Sequence, residues 1–218
     1  MKKLTVKRAA LWVCALLLLT SLFGCQSSAP LFADLDFTAV DPASVSETTD
    51  VTDYVKITVA DYGDIIIRLY PEVAPKTVAN FQSLVAQSYY DGIIFHRVIE
   101  TFVIQAGDPD GDGYGNGDVA EIKGEFSANG FENNLKHIRG VVSMARSGND
   151  YNSASSQFFI CHESSVSVKN LDRKYASFGY VVSGMDVVDA IAGVATNSSD
   201  KPLVDVVIEK ACFVTVGQ

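Results

Sequence analysis

This sequence predicts a mainly β fold: a closed eight-stranded antiparallel β-barrel capped by two α-helices. Three observations lead there. Eight short apolar runs of β-type residues recur between turn signals. Only two stretches show a helical spacing of apolar residues. Strands and helices do not alternate as a parallel sheet would require, so antiparallel closure is the natural way to protect the strand edges. With 48% apolar residues among 218, the chain can bury a real core, as one domain with appendages.

Taken in order, the chain opens outside the fold. Lys2, Lys3, Lys7 and Arg8 precede an almost uncharged apolar run of 15 residues, 9–23. That run is short for a membrane span and right for a signal peptide over residues 1–24. It ends Leu22-Phe23-Gly24-Cys25, which resembles the lipobox of bacterial lipoproteins, where the cysteine is diacylated and becomes the new N-terminus. An ordinary secretory signal with an incidental cysteine, or an uncleaved anchor, is the alternative. Cleavage there removes four of the 17 cations and none of the 26 acids, taking the net charge from −9 to −13. Residues 25–53 read as the lipidated N-terminus and a flexible linker, polar and without sustained periodicity.

The folded domain is expected over 54–218. Residues 56–59 and 65–69 read as strands joined by a turn at 61–64. Residues 75–87 read as a helix, with Pro75 in its first turn and Val78, Phe81, Leu84 and Val85 on one face. A hairpin follows over 95–108, then a Gly/Asp-rich loop at 108–118. Strands are expected at 141–145, 156–161 and 176–182, a short helix at 185–192, and a closing strand at 204–216.

The hairpin, FHRVIETFVIQAGD, carries the most chemistry. Alternate residues of a strand share a face, so Arg97 points with Ile99, and Val103 with Gln105. A cation and an amide beside aromatic side chains point to a greasy pocket with two fixed polar groups. A surface arginine on an edge hairpin is the competing reading.

FHRVIETFVIQAGDPDGDG, GEFSANGF, LKHIRGVVSMA, NSASSQFFI, NLDRKYASFGYV and GMDVVDAI, in this order, resemble the cyclophilin-type peptidyl-prolyl cis-trans isomerases of the bacterial kind. The resemblance spans about residues 54–217. It implies the eight-stranded barrel with two helices, and an enzyme that needs no cofactor and no metal. It implies Arg97, Phe102 and Gln105 as catalytic residues, with Arg97 donating to the twisting X-Pro amide. Val103, Phe159 and Leu171 would join Phe102 as walls of the proline pocket. Ala145, Arg146 and Ser147 match the rim that pairs with the peptide, and Gln157 matches a supporting glutamine. His96 matches the residue beside the catalytic arginine, as support or pocket rim. Tyr175 stands where many members have histidine, Val103 where methionine is common, and Arg146 where asparagine is frequent. A phenol at Tyr175 can still form one wall and offer a hydrogen bond, and valine at position 103 costs the pocket adaptability. The change at Arg146, where the partner is mainly backbone, should alter preference rather than abolish catalysis.

The implied partners are proline-containing unfolded or exported polypeptides, and a membrane through the lipid anchor. The location would be extracytoplasmic, lipid-anchored to a bacterial membrane, and a monomer is expected. A membrane-anchored peptide-binding module with little turnover is the second function class. Net charge −9 argues against a nucleic-acid partner, which needs a basic face. Asp108-x-Asp110-x-Asp112-Gly113 begins like a calcium loop but has Val119 where a bidentate glutamate is required, so a loop of solvated acids is the better reading. His96, His137 and His162 have no metal-ligand spacing with cysteines. Cys161 and Cys212 could pair or be small buried apolar residues.

Overall fold

Nine strands, not eight, join in one antiparallel sheet in the computed structural model, which describes residues 32–114 and 118–217. The expected signal peptide and Cys25 lie outside the described residues. The strands are β1 (Val45–Thr48), β2 (Tyr54–Val59), β3 (Gly63–Leu69), β4 (Arg97–Ile99), β5 (Val103–Ala106), β6 (Val141–Met144), β7 (Phe158–Cys161), β8 (Ser177–Ser183) and β9 (Ile208–Val216). The helices are α1 (Pro75–Ala86), α2 (Val166–Lys169) and α3 (Met185–Ala192), three where two were expected.

The sheet runs β1-β9-β2-β3-β8-β6-β7-β5-β4. It has two ends, β1 and β4, so the expected closed barrel is not what the strand ladder forms. Residues preceding β4 approach the start of β9 through an Ile94–Val207 bridge and a 2.8 Å bond from the Gly92 N–H to the Ile208 carbonyl. The Ile208 N–H also donates to the Ile93 carbonyl at 2.8 Å, and the Phe95 N–H to the Val206 carbonyl at 2.9 Å. These residues lie outside β4 and β9 or at their ends, and β4, only three residues long, forms no ladder with β9.

The extra strand corrects the reading of 25–53 as a flexible linker. Val45–Thr48 pairs with β9 from Val216 to Phe213. Upstream, Leu35 is 8% exposed, and Phe37 packs on Tyr70 and Tyr180 at ring distances of 6.0 and 4.8 Å. Asp36 bonds Arg68, and the Tyr70 hydroxyl donates to the Asp36 carbonyl at 2.5 Å. Phe32 packs on Phe37 at 5.3 Å between rings, so the strap's apolar residues gather at one place on the core rather than along a periodic face.

Helix α1 begins at Pro75, whose fixed φ and missing N–H suit a first turn. Its N-cap, Ala74, offers no side chain. The cap comes from buried Glu125, which accepts from the Lys76 N–H at 3.1 Å, the Thr77 N–H at 2.9 Å and the Thr77 hydroxyl at 2.8 Å. A carboxylate at a helix N-terminus satisfies free donors and meets the positive end of the dipole. Inward from α1, Phe81 meets Tyr90, Phe158 and Phe178 at 5.0–5.5 Å between rings. That aromatic cluster ties the helix to β7 and β8.

Candidate active site

The site is one row across the sheet. Arg97 on β4 faces Gln105 on β5, Gln105 faces Phe159 on β7, and Phe159 faces Ser143 on β6. Directly opposed residues of antiparallel strands share a face, so these side chains line up on the same surface. A one-residue slip anywhere in the row would turn one of them away.

A cavity of about 230 Å³ opens on this row. It is lined by Arg97, Phe102, Val103, Gln105, Ala145, Arg146, Phe159, Leu171 and Tyr175. Nine of the twelve residues expected at the site therefore converge. Ser147 and Gln157 line a second cavity of about 430 Å³, which shares Gln105, Ala145 and Arg146 with the first. His96 lines neither. It is 5% exposed, neither ring nitrogen has a hydrogen-bond partner, and burial holds its pKa below the ordinary value. The expectation of a rim residue is corrected: neighbouring strand residues point to opposite faces, so His96 turns inward as Arg97 turns to the cleft.

The polar side of the first cavity is a chain of amides. Arg97 Nη1 donates to Gln105 Oε1 at 3.4 Å, Gln105 Nε2 to Gln157 Oε1 at 2.9 Å, and Gln157 Nε2 to the Gly113 carbonyl at 3.3 Å. Arg97 also lies over the Phe102 ring, 5.9 Å from its centroid, and its Nη2 has no partner among the described residues. One guanidinium edge is thus held and one is left to donate.

Gly107 makes the close approach to Gln157 possible. A Cβ there would stand 2.4 Å from the Ser156 carbonyl oxygen and 2.8 Å from Gln157 Cα. Asp108, expected as a solvated acid, is fully buried. Its carboxylate accepts from the N–H groups of Asp110, Asp112 and Gly113 at 3.2, 2.9 and 2.6 Å. Those bonds shape the loop that presents the Gly113 carbonyl.

The aromatic wall is supported from behind by residues that the sequence did not single out. His137 stacks against Phe159 at 6.1 Å, with Nε2 3.1 Å from Ser143 Oγ and Nδ1 3.0 Å from Asp172 Oδ1. Partial burial pushes the Asp172 carboxyl up, but the bonds from His137 outweigh it and hold the carboxyl below its ordinary value. His162 fixes the turn before Phe102. Its Nδ1 accepts from the Thr101 N–H at 3.0 Å, and its backbone N–H donates to the Phe102 carbonyl at 2.9 Å. Arg146 lies among Tyr175, Tyr151 and Phe126, at 4.5, 4.7 and 5.4 Å from their ring centres. Nothing in local spacing marks these partners, since each comes from a distant segment.

Other features do not compete as an active site. A hollow of about 600 Å³ at β1, β9 and the end of α1 contains Glu47 and Lys210, but these bond each other at 2.6 Å. Cys161 and Cys212 are both free, on β7 and β9, strands that are not neighbours in the sheet.

The family model for the cyclophilin type peptidyl-prolyl cis-trans isomerases matches residues 54–212. A peptidyl-prolyl cis-trans isomerase of Schizosaccharomyces pombe is 45% identical over 150 residues, covering 68% of this chain and 92% of that protein. A putative bifunctional phosphatase/peptidyl-prolyl cis-trans isomerase of Streptococcus pyogenes is 40% identical over 181 residues, covering 71% of this chain. The present chain spans only 37% of that relative's length. Among solved structures, a Cryptosporidium parvum cyclophilin type isomerase, crystallised in the presence of the dipeptide Ala-Pro, is 31% identical with a TM-score of 0.65. That match covers 73% of this chain and 97% of the parasite chain.

Proposed function

Because this chain belongs to the cyclophilin-type peptidyl-prolyl cis-trans isomerase family, we propose that it catalyses rotation about X-Pro bonds, with Arg97 as the group that stabilises the twisted amide. Peptide-bond rotation faces a barrier of about 18–20 kcal/mol because it destroys amide resonance. Uncatalysed prolyl isomerisation takes tens of seconds or more. No bond breaks, so neither nucleophile nor general base is required. The twisted state differs from the planar one in its nitrogen, which becomes pyramidal and basic. A donor aimed at that nitrogen binds the transition state better than the ground state, and only such differential binding raises the rate. Arginine suits the task because it stays charged and donates in a rigid fork.

One observation carries the reading. The guanidinium of Arg97 stands at an apolar cavity with one edge held by Gln105 and Nη2 without a partner among the described residues. Phe102, Val103, Phe159 and Leu171 offer the proline ring its apolar walls. The Gln105–Gln157 pair is placed to orient the guanidinium and the substrate carbonyl. The test is turnover of a short Ala-Pro peptide by wild type and Arg97→Ala. A loss of about two to three decades is expected, the scale for removing one preorganised donor. Peptide binding without turnover would instead make the protein a binding module.

The basic segment, apolar run and Leu22-Phe23-Gly24-Cys25 ending support a second part of the proposal. Cys25 is diacylated, and the enzyme serves exported polypeptides while anchored at an extracytoplasmic bacterial membrane face. Two acyl chains give stable anchoring where one does not. Cys25→Ala should release the protein from membranes; a variant that stays bound and migrates unchanged would point to an uncleaved apolar anchor.

A further inference from the structure

The turn from Asn197 to Lys201 lies between α3 and β9, outside every motif that points to the cleft. It nevertheless reaches the cleft's cation. Asp200 Oδ2 stands 3.6 Å from Arg97 Nε. The Asp200 carbonyl accepts the N–H of Val98, the next residue on β4, at 2.8 Å. In the sheet β4 pairs only with β5, so this turn occupies part of its outer edge.

The placement of Asp200 is built rather than incidental. Its φ is 62°, in the left-handed region that glycine, asparagine and aspartate adopt more readily than other residues. Asn197 holds it there. Asn197 Oδ1 accepts from the N–H groups of Ser199 and Lys201 at 2.8 and 3.1 Å. The Asn197 N–H donates to the Lys201 carbonyl at 2.8 Å, and the Asp200 N–H to the Asn197 carbonyl at 3.1 Å. Lys201 Nζ then donates to the Gly111 carbonyl at 2.9 Å, joining the turn to the Asp108 loop.

We propose that Asp200 is a positioning residue for Arg97: its carboxylate faces the Nε edge while Gln105 takes Nη1, and the two together aim Nη2 at the substrate amide. The inference rests on the reading of Arg97 as the amide donor. A guanidinium is a planar fork, so acceptors on two of its edges fix the rotation of the third. With Gln105 alone, through a 3.4 Å contact, the fork can swing about that contact. Both Arg97 and Asp200 are partly open to solvent, 38% and 46% exposed at their side chains. An ion pair of this kind adds little to stability, and its effect is on aim.

The experiment measures kcat and KM on an Xaa-Pro peptide for Asp200→Ala, Asp200→Gly and Asp200→Asn, each also combined with Arg97→Ala. Asp200→Gly guards against backbone strain, since glycine accepts positive φ without cost. Both truncations should lower kcat about tenfold with KM nearly unchanged, well inside the hundredfold that a misplacement of about 1 Å can cost. Asp200→Asn keeps an acceptor for Nε and should recover most of the rate. In the Arg97→Ala background none of the three should matter, because a residue acting through Arg97 has nothing left to position. Wild-type or faster turnover in both truncations would overturn the proposal, and so would equal losses with and without Arg97. If Arg97→Ala itself turned over like wild type, the parent reading would fall and this one with it.

Discussion

Arg97 and Arg68 are the same residue type in nearly the same surroundings, with different partners. Each sits on a strand, partly exposed, with a guanidinium 5.6–5.9 Å from aromatic ring centres. Arg68 lies on β3 between Tyr54 and Tyr70, and Asp36 of the N-terminal strap bonds directly to it. Arg97 has an amide at one edge, a carboxylate 3.6 Å from another, and Nη2 without a partner among the described residues. The first cation bonds the Asp36 carboxylate through Nη1 and fastens a segment to the sheet. The second has longer contacts, 3.4 Å to Gln105 and 3.6 Å to Asp200, and it lines a cavity. The charge network at Glu47, which meets Lys56 at 2.8 Å and Lys210 at 2.6 Å, repeats the fastening pattern. What separates the two cations is their setting: Arg68 meets a carboxylate of the strap, whereas Arg97 lines the cleft cavity.

The largest expected effect breaks the comparison directly. Arg97→Ala should cut kcat/KM by about two to three decades and leave the melting temperature nearly unchanged. Arg68→Ala should do the reverse, lowering the melting temperature and leaving kcat/KM within about twofold, as a change remote from the reacting atoms allows. Arg97→Lys should stay poor, because an ammonium cannot reproduce the fork. Matching losses of activity in both alanine variants would erase the distinction.

A chain starting at Tyr54 sharpens it next. Without the strap, β9 loses its β1 partner, and the hollows filled by Leu35 and Phe37 open. Burying a side chain of this size is worth about 1.5–3 kcal/mol, so the loss in unfolding free energy should reach about 3 kcal/mol by denaturant titration. Turnover per folded molecule should hold, since no strap residue lines the cleft cavity. Unchanged stability would show that residues 32–53 only rest on the sheet.

The smallest effect is in acid. Hydrogen bonds from the Thr38 hydroxyl and N–H, then from Arg68, hold the Asp36 carboxyl at about 2. Bonds from Lys210 and Lys56 hold Glu47 at about 2 as well. Both values lie below the ordinary 3.8 and 4.5, so unfolding binds protons there. Their stabilisation is complete above about pH 4.5 and is lost as the pH falls through about 2. Both carboxylates are about half exposed, so solvent screening keeps the contribution small. Melting temperature against pH should fall less steeply between pH 4.5 and 2 in Asp36→Asn/Glu47→Gln than in wild type. Identical slopes would mean that these pairs fasten nothing.

The amino-acid sequence by itself determined what repeats along it. Alternating apolar residues set most strands, the spacing of Val78, Phe81, Leu84 and Val85 set α1, and Pro75 marked its start. The order of the cleft motifs brought nine of the twelve expected residues to one cavity. Tertiary structure decided whatever needs two distant segments at once. Residues 45–48, mostly polar, pair as a strand along the edge that β9 offers, and the short β4 left the sheet with ends where closure was expected. The cap of α1 comes from Glu125, the prop behind Phe159 from His137 and Asp172, and the clamp on Arg97 from Asp200. Inward-facing His96 and outward-facing Arg97 are neighbours in sequence, parted by the pleat. Periodicity records which face of an element is apolar, whereas a hydrogen bond between residues tens of positions apart depends on how the elements pack and leaves no spacing to read.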